Sequence, residues 1–250
     1  MIRRLLFVLL ALPTMLMAQQ RRDEVRPYPG SFNWQFLGRH ADAARLFNAF
    51  DYGHAILYER LLTLPLKDAK VALADEYDFL VGDLLVKPPR FAIPDEAIEP
   101  TYAKVAWRAK VTFDWAHILH RQIYDAYADP RLTPAERDAL IERITDYYLE
   151  ETRYALPTVP KSMAPAVAPR FSKAHPRAAA IFDNLHMLHD IISDILASPT
   201  IPRAGKGAEI QRQLDLMQDP TRDLMGAEHW WMMGDMMGGV GKMGGVAGGP

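Results

Sequence analysis

The chain has 250 residues, of which 49% are hydrophobic and 24% are charged, with a formal net charge of -2. A chain of this length and apolar content can bury a substantial core within one domain. The near-neutral charge excludes the basic excess that tracks a phosphate backbone, so we expect no nucleic-acid partner. The sequence contains no cysteine, which excludes disulfides, thiolate metal sites and covalently attached c-type haem.

Residues 1–18 have the pattern of a secretory signal peptide. Arg3 and Arg4 precede an apolar run, and Ala18 provides a small residue for cleavage. The sequence therefore predicts export to the periplasm and no transmembrane span in the mature chain, with an uncleaved N-terminal anchor as the alternative. Residues 19–41 are polar and carry prolines followed by aromatic residues, which predicts an extended N-terminal arm.

Residues 42–218 show helical periodicity and no sustained strand alternation. This pattern predicts an all-α bundle of about five to six helices. Thr133, Pro134 and Glu136 predict a capping box at one helix start, and proline-rich connections separate the helices. The predicted helices cover about residues 42–63, 67–86, 100–128, 134–151, 176–197 and 208–217.

One short motif, Phe-Asp-x-x-His, occurs three times, at residues 50–54, 113–117 and 182–186. The second and third copies continue to a further histidine, whereas the first copy has Leu57 at that position. Each motif helix is followed by another predicted helix. We therefore expect three related helical hairpins whose motif helices pack side by side.

The motif places a carboxylate one helical turn before an imidazole, so that both side chains lie on one face. Such a pair either ligates one ion or uses the carboxylate to fix the imidazole tautomer. These ligands suit iron, manganese, zinc or copper, and three helices would assemble one three-histidine site or a two-metal site for redox or hydrolytic chemistry. The predicted metal ligands are Asp51, His54, Asp114, His117, His120, Asp183, His186 and His189.

Two other interpretations of the motif remain open. Asp–His pairs one turn apart also occur as hydrogen-bonded structural features where helices meet, in which case the protein is a non-catalytic subunit of the cell envelope. A third hypothesis is haem held non-covalently between two motif histidines. In every case we expect the motif residues Phe50, Phe113 and Phe182 to lie in the core.

Residues 219–250 are rich in methionine and glycine and predict a flexible tail. Thioethers favour Cu(I), so His229 with Met232, Met233, Met236 and Met237 forms a candidate copper site. The alternatives are a low-complexity tail, or an apolar Trp/Met patch that contacts an envelope protein partner or a membrane surface peripherally.

Overall fold

The computed structural model describes residues 29–32, 34–90, 95–159 and 163–219. Across these ranges the protein has ten α-helices and no strand, which confirms the predicted all-α bundle but exceeds the predicted number of about five to six helices. No helix within the same ranges combines the length and the apolar character needed to cross a membrane. The predicted signal peptide and, apart from Asp219, the predicted Met/Gly tail lie outside the described residues.

The helices vary in length from five to 23 residues. A π-helical turn, Leu80–Leu84, continues the third helix, and a short 3-10 turn, Asp95–Ala97, precedes the fourth. The helices are α1 (Trp34–Arg39), α2 (Ala41–Thr63), α3 (Leu66–Phe79), α4 (Pro100–Val105), α5 (Trp107–Ala128), α6 (Pro134–Glu150), α7 (Met163–Val167), α8 (Pro169–Ala174), α9 (Pro176–Ala197) and α10 (Arg203–Met217).

The three long motif helices, α2, α5 and α9, each pack against the next long helix in the chain. α2 packs on α3, α5 on α6, and α9 on α10, as expected for antiparallel neighbours joined by short connections. α9 also contacts both α2 and α5. The motif helices therefore meet around α9, and the core lies between them.

Local sequence signals set several helix boundaries as predicted. At the start of α6, the Thr133 hydroxyl accepts a hydrogen bond from the Glu136 amide at 3.3 Å, and the Glu136 carboxylate accepts one from the Thr133 amide at 2.9 Å. Pro134 occupies the first helical position. This capping box satisfies amide groups that the helix itself leaves without partners.

The single helix predicted over residues 100–128 is divided into α4 and α5 at Ala106, which has φ -127° and ψ 43°. His40 and His175 have similar angles immediately before α2 and α9. These angles lie outside the helical region, so each short helix turns away from the long helix that follows it. Each motif helix is thus preceded by a six-residue helix and a one-residue break.

The N-terminal arm also differs from its predicted extended form, because Trp34–Arg39 is helical. The amide of Phe36 donates a hydrogen bond of 2.8 Å to the buried carboxylate of Asp125 on α5, and the Phe36 ring packs 4.8 Å from that of Tyr124. A carboxylate near the first amides of a helix stabilises the helical form. This tertiary partner cannot be recognised from the local sequence.

The core prediction holds for two motif phenylalanines and fails for the third. Phe113 and Phe182 are buried, whereas Phe50 is 57% exposed. α2 instead turns Tyr52 and Tyr58 inward, both of which are buried. Phe50 consequently faces an apolar groove between α2 and α3.

Candidate functional site

All five motif histidines converge where α2, α5 and α9 meet. The ring centroids of His54 and His189 are 4.3 Å apart, and those of His117 and His189 are 5.9 Å apart. His120 lies close enough to His117 and His186 for their charges to lower its pKa. We call His54, His117, His120, His186 and His189 the histidine cluster.

Aromatic side chains hold the rings of the cluster in place. The motif phenylalanine Phe113 stacks on His189 with centroids 4.3 Å apart, and Phe182 stacks on His120 at 3.9 Å. Phe47 meets the His120 ring edge to face at 5.2 Å. Offset stacking and edge-to-face contacts both have preferred geometries, so they restrict ring rotation.

Backbone carbonyls fix the tautomers of two rings in the cluster. Nδ1 of His54 lies 3.0 Å from the carbonyl of Phe50, and Nδ1 of His189 lies 2.9 Å from that of Leu185. A carbonyl can only accept, so each Nδ1 carries the proton and each neutral ring keeps its lone pair on Nε2. Nδ1 of His120 is buried and has no hydrogen-bond partner in the part of the chain that the structure describes.

Burial favours the neutral form of four histidines in the cluster. Removal from water is the first cause that lowers the pKa of His54, His120, His186 and His189, and neighbouring imidazoles lower these pKa values further. His186 is exposed to solvent through a cavity that it lines. The other sides of its ring are surrounded by protein, which is why its pKa is lowered. Neutral imidazole is the form that binds metal ions.

Asp51 is the only one of the three predicted aspartates that the described contacts place beside a cluster histidine. Its carboxylate lies 3.6 Å from Nε2 of His117, which belongs to another copy of the motif. It also accepts a hydrogen bond from Arg121 at 2.5 Å, and Arg121 donates a second one to Asn48 at 2.8 Å. Arg121 and Asn48 are buried. Neither was among the predicted site residues, and the only sequence signal is that Arg121 lies one turn after His117.

The other two predicted aspartates have partners away from the cluster. Asp114 forms a 2.5 Å ion pair with Lys110, which is paired equally closely with Glu96. Asp183 is buried and its Oδ1 accepts a hydrogen bond of 2.7 Å from the amide of Ala164, at the second residue of α7. The structure therefore brings together five predicted histidines and one predicted aspartate.

As the side chains stand, no three His, Asp or Glu residues in the described ranges are arranged to hold a metal ion. The ring separations are nevertheless close to those of shared ligands. Two imidazoles on one tetrahedral ion, with metal–nitrogen bonds of about 2.0 Å, have centroids roughly 5 Å apart. The separations of 4.3 Å (His54–His189) and 5.9 Å (His117–His189) lie on either side of this value. Metal coordination would therefore require imidazole rings of the histidine cluster to rotate.

The histidine cluster lies between two recesses of the protein. One is the apolar groove between α2 and α3, with a volume of about 440 Å³, which His54 lines. The other is a cavity of about 810 Å³ beside α5 and α9, which His120 and His186 line. Small ions and molecules thus have two routes to the cluster.

No known protein-family model, curated protein or solved structure matches this chain.

Proposed function

We propose that this protein is an exported metal-binding protein whose histidine cluster holds a transition-metal ion, with a role in redox chemistry or metal handling. The observation that carries this proposal is the convergence of five histidines from three helices that are distant in sequence. Neutral imidazoles protonated on Nδ1, as at His54 and His189, keep a lone pair on Nε2 that can bind a metal ion. Imidazoles gathered in this way are costly for a purely structural core where they are withdrawn from water, as at His189, because neutral rings still need hydrogen-bond partners.

The proposed ligands are His54, His117 and His189, the three rings with the closest measured separations. His186 and His120 are further donors on the cavity side. Asp51 would act from outside, as a carboxylate that orients His117 and raises its basicity. A site dominated by imidazole suits zinc, copper and iron, and the separate engagement of Asp114 and Asp183 makes it less suited to manganese.

We also infer that the three motif helices descend from one duplicated unit. The shared Phe-Asp-x-x-His sequence is accompanied by the same local design, in which a six-residue helix and a one-residue break precede a helix of 22 or 23 residues. Export to the periplasm rests on the N-terminal sequence pattern alone.

Elemental analysis and metal titration test the proposed site. The untagged full-length protein is stripped with chelator, reloaded separately with Zn²⁺, Cu²⁺, Fe²⁺ or Co²⁺, and compared with His117→Gln and His189→Gln variants. We expect one ion per chain, a visible Co²⁺ spectrum of low-symmetry coordination, and affinity reduced about 10- to 100-fold in either variant. His40→Gln is the matched control, because His40 is exposed on the surface.

Failure to bind any of these ions, or equal affinity in the cluster variants and the control, would contradict the proposal. Truncation after Gly226 separates the cluster from the predicted copper site in the tail. Copper lost only on truncation would assign metal binding to residues 227–250, whereas unchanged binding would assign it to the cluster. Circular dichroism and thermal unfolding establish that each variant is folded.

The second candidate function is that of a non-catalytic envelope protein that binds a partner. The groove between α2 and α3 favours it, because Phe50, Tyr77 and Val81 are 57%, 64% and 46% exposed. Contiguous exposed apolar surface commonly marks an interaction site. Under this proposal Val81→Asp, which places a charge in the groove, removes the protein from the envelope complex without changing metal content.

A further inference from the structure

The cavity on the α5 and α9 side of the histidine cluster has the size of a small-molecule site. Its volume is about 810 Å³, and its walls come from α5, α6, α7, α8 and α9. Pockets that enclose ligands of moderate size commonly have volumes of several hundred cubic ångströms and apolar walls with a few polar groups. We call this recess the α5–α9 cavity.

Aromatic rings form much of the wall of the α5–α9 cavity. Tyr124 and Tyr127 project from α5, while Phe171 and Phe182 come from α8 and α9. The rings of Phe171 and Phe182 are nearly parallel, with an interplanar angle of 13° and centroids 5.9 Å apart. Flat apolar walls of this kind accept an aromatic or branched hydrocarbon body.

Positive charge predominates over negative charge around the same cavity. Arg137 and Arg170 line it, and among the described lining residues Asp183 is the one carboxylate. The Asp183 carboxylate accepts a backbone hydrogen bond from Ala164, as described above. The cavity wall is therefore better suited to binding an anion than to binding a cation.

The two arginines differ in whether their guanidinium groups already have partners within the protein. The guanidinium of Arg137 lies over the ring of Tyr127 at 4.6 Å and bonds to Asp138 at 3.0 Å. Arg170 is exposed at the cavity and forms no ion pair with any residue in the described ranges. A planar guanidinium with free N–H groups binds a carboxylate through two parallel hydrogen bonds.

We propose that the α5–α9 cavity binds a small organic monoanion, a carboxylate with an aromatic or branched apolar body. The carboxylate pairs with Arg170 at the mouth, and the body lies between the aromatic walls. A neutral apolar ligand would form no ion pair with the Arg170 guanidinium. A polyanion such as inorganic phosphate would have to give up water beside a second arginine, Arg137, whose guanidinium already bonds to Asp138.

This site does not depend on the metal proposed for the cluster, since neither the arginines nor the aromatic walls are among its ligands. The two sites are adjacent, because His120 and His186 line the cavity and also belong to the cluster. A bound ligand would therefore lie next to the histidine cluster. Measurements in chelator and after metal loading distinguish failure of one proposal from failure of the other.

Isothermal titration calorimetry with 1-naphthoate tests the cavity in the stripped full-length protein. We expect one naphthoate per chain with a Kd on the order of 0.1 mM. Arg170→Gln should weaken binding about five- to tenfold through loss of a charge-assisted pair. The neutral analogue 1-naphthamide should bind the wild type about tenfold more weakly than naphthoate does.

Two control variants locate the binding. Arg143→Gln removes an exposed arginine from α6, outside the cavity, and should leave the affinity for naphthoate unchanged. Val81→Asp places a negative charge, which would repel naphthoate, in the groove between α2 and α3. Because the groove is not the proposed site, this variant should also leave the affinity for naphthoate unchanged. The proposal is overturned by equal affinities in Arg170→Gln and Arg143→Gln, by loss of binding in Val81→Asp, or by no binding at 5 mM naphthoate, about 50 times the expected Kd.

Discussion

Asp51 and Asp114 occupy the same position of the motif on two helices, but their surroundings differ. The side chain of Asp51 is 11% exposed and its partner Arg121 is 6% exposed, so this pair is withdrawn from water. Asp114 is 34% exposed, and its partner Lys110 keeps a second carboxylate, Glu96. A buried charge that loses its partner is far more costly than an exposed one.

We therefore expect Asp51→Asn to lower the free energy of unfolding by about 3 kcal/mol, because it leaves the Arg121 guanidinium buried without a counter-charge. The matched substitution Asp114→Asn should cost less than about 1 kcal/mol, since Lys110 retains Glu96. Urea unfolding in chelator measures both values. Equal losses would show that the two aspartates are equivalent despite their different partners.

At the scale of helices, α10 approaches α4 so closely that only glycine fits at one position. A methyl group on Gly207 would lie 2.7 Å from the side chain of Val105 and 2.8 Å from its carbonyl oxygen. A methyl group on Gly205, in the same helix, would have its nearest neighbouring atom at 4.0 Å. The contact at Gly207 therefore fixes the distance between these helices, while Gly205 has ordinary room for a side chain.

Gly207→Ala should destabilise the protein by about 2 kcal/mol, because the backbone carbonyl of Val105 cannot move aside without shifting α4. Gly205→Ala should be neutral or stabilise it by up to about 1 kcal/mol, since alanine has the higher helix propensity. Thermal unfolding of the two variants provides the comparison. A gain in stability for both would mean that α10 does not pack on α4 in this way.

At the scale of the whole molecule, the histidine cluster links stability to pH. Burial holds the pKa values of His120 and His189 well below 6.5, and those of His54 and His186 are also lowered. Below about pH 6.5 the unfolded chain therefore binds more protons than the folded protein does. The free energy of unfolding is therefore highest above about pH 6.5 and decreases as the pH falls below this value.

We expect the free energy of unfolding of the metal-free protein to fall between pH 6.5 and 5, by up to about 1.4 kcal/mol per pH unit for each histidine that stays neutral in the fold. Urea unfolding at a series of pH values gives the slope. His189→Gln should reduce the slope by the contribution of about one proton, up to about 1.4 kcal/mol per pH unit. A flat profile in the wild type would be inconsistent with a neutral buried cluster.

The sequence by itself determined the helical class and many boundaries of the long helices, but not the short helices α1, α7 and α8. Hydrophobic periodicity, proline positions and the Thr133 cap are local signals, and helix formation responds to them locally. The repeated motif also identified the five histidines that meet at the helix interface. Their shared spacing places them on corresponding faces of three helices, and corresponding faces of related helices turn toward a common core.

Only the tertiary structure decided which side chain each motif residue contacts. Asp51 bonds to Arg121, 70 residues away, and the break at Ala106 has no glycine or proline beside it that would signal it locally. Helix packing also leaves Phe50 exposed beside the groove. Helical spacing fixes the face of a helix on which a residue lies. The neighbour that this face meets depends on contacts between segments far apart in the chain, and a local pattern carries no information about them.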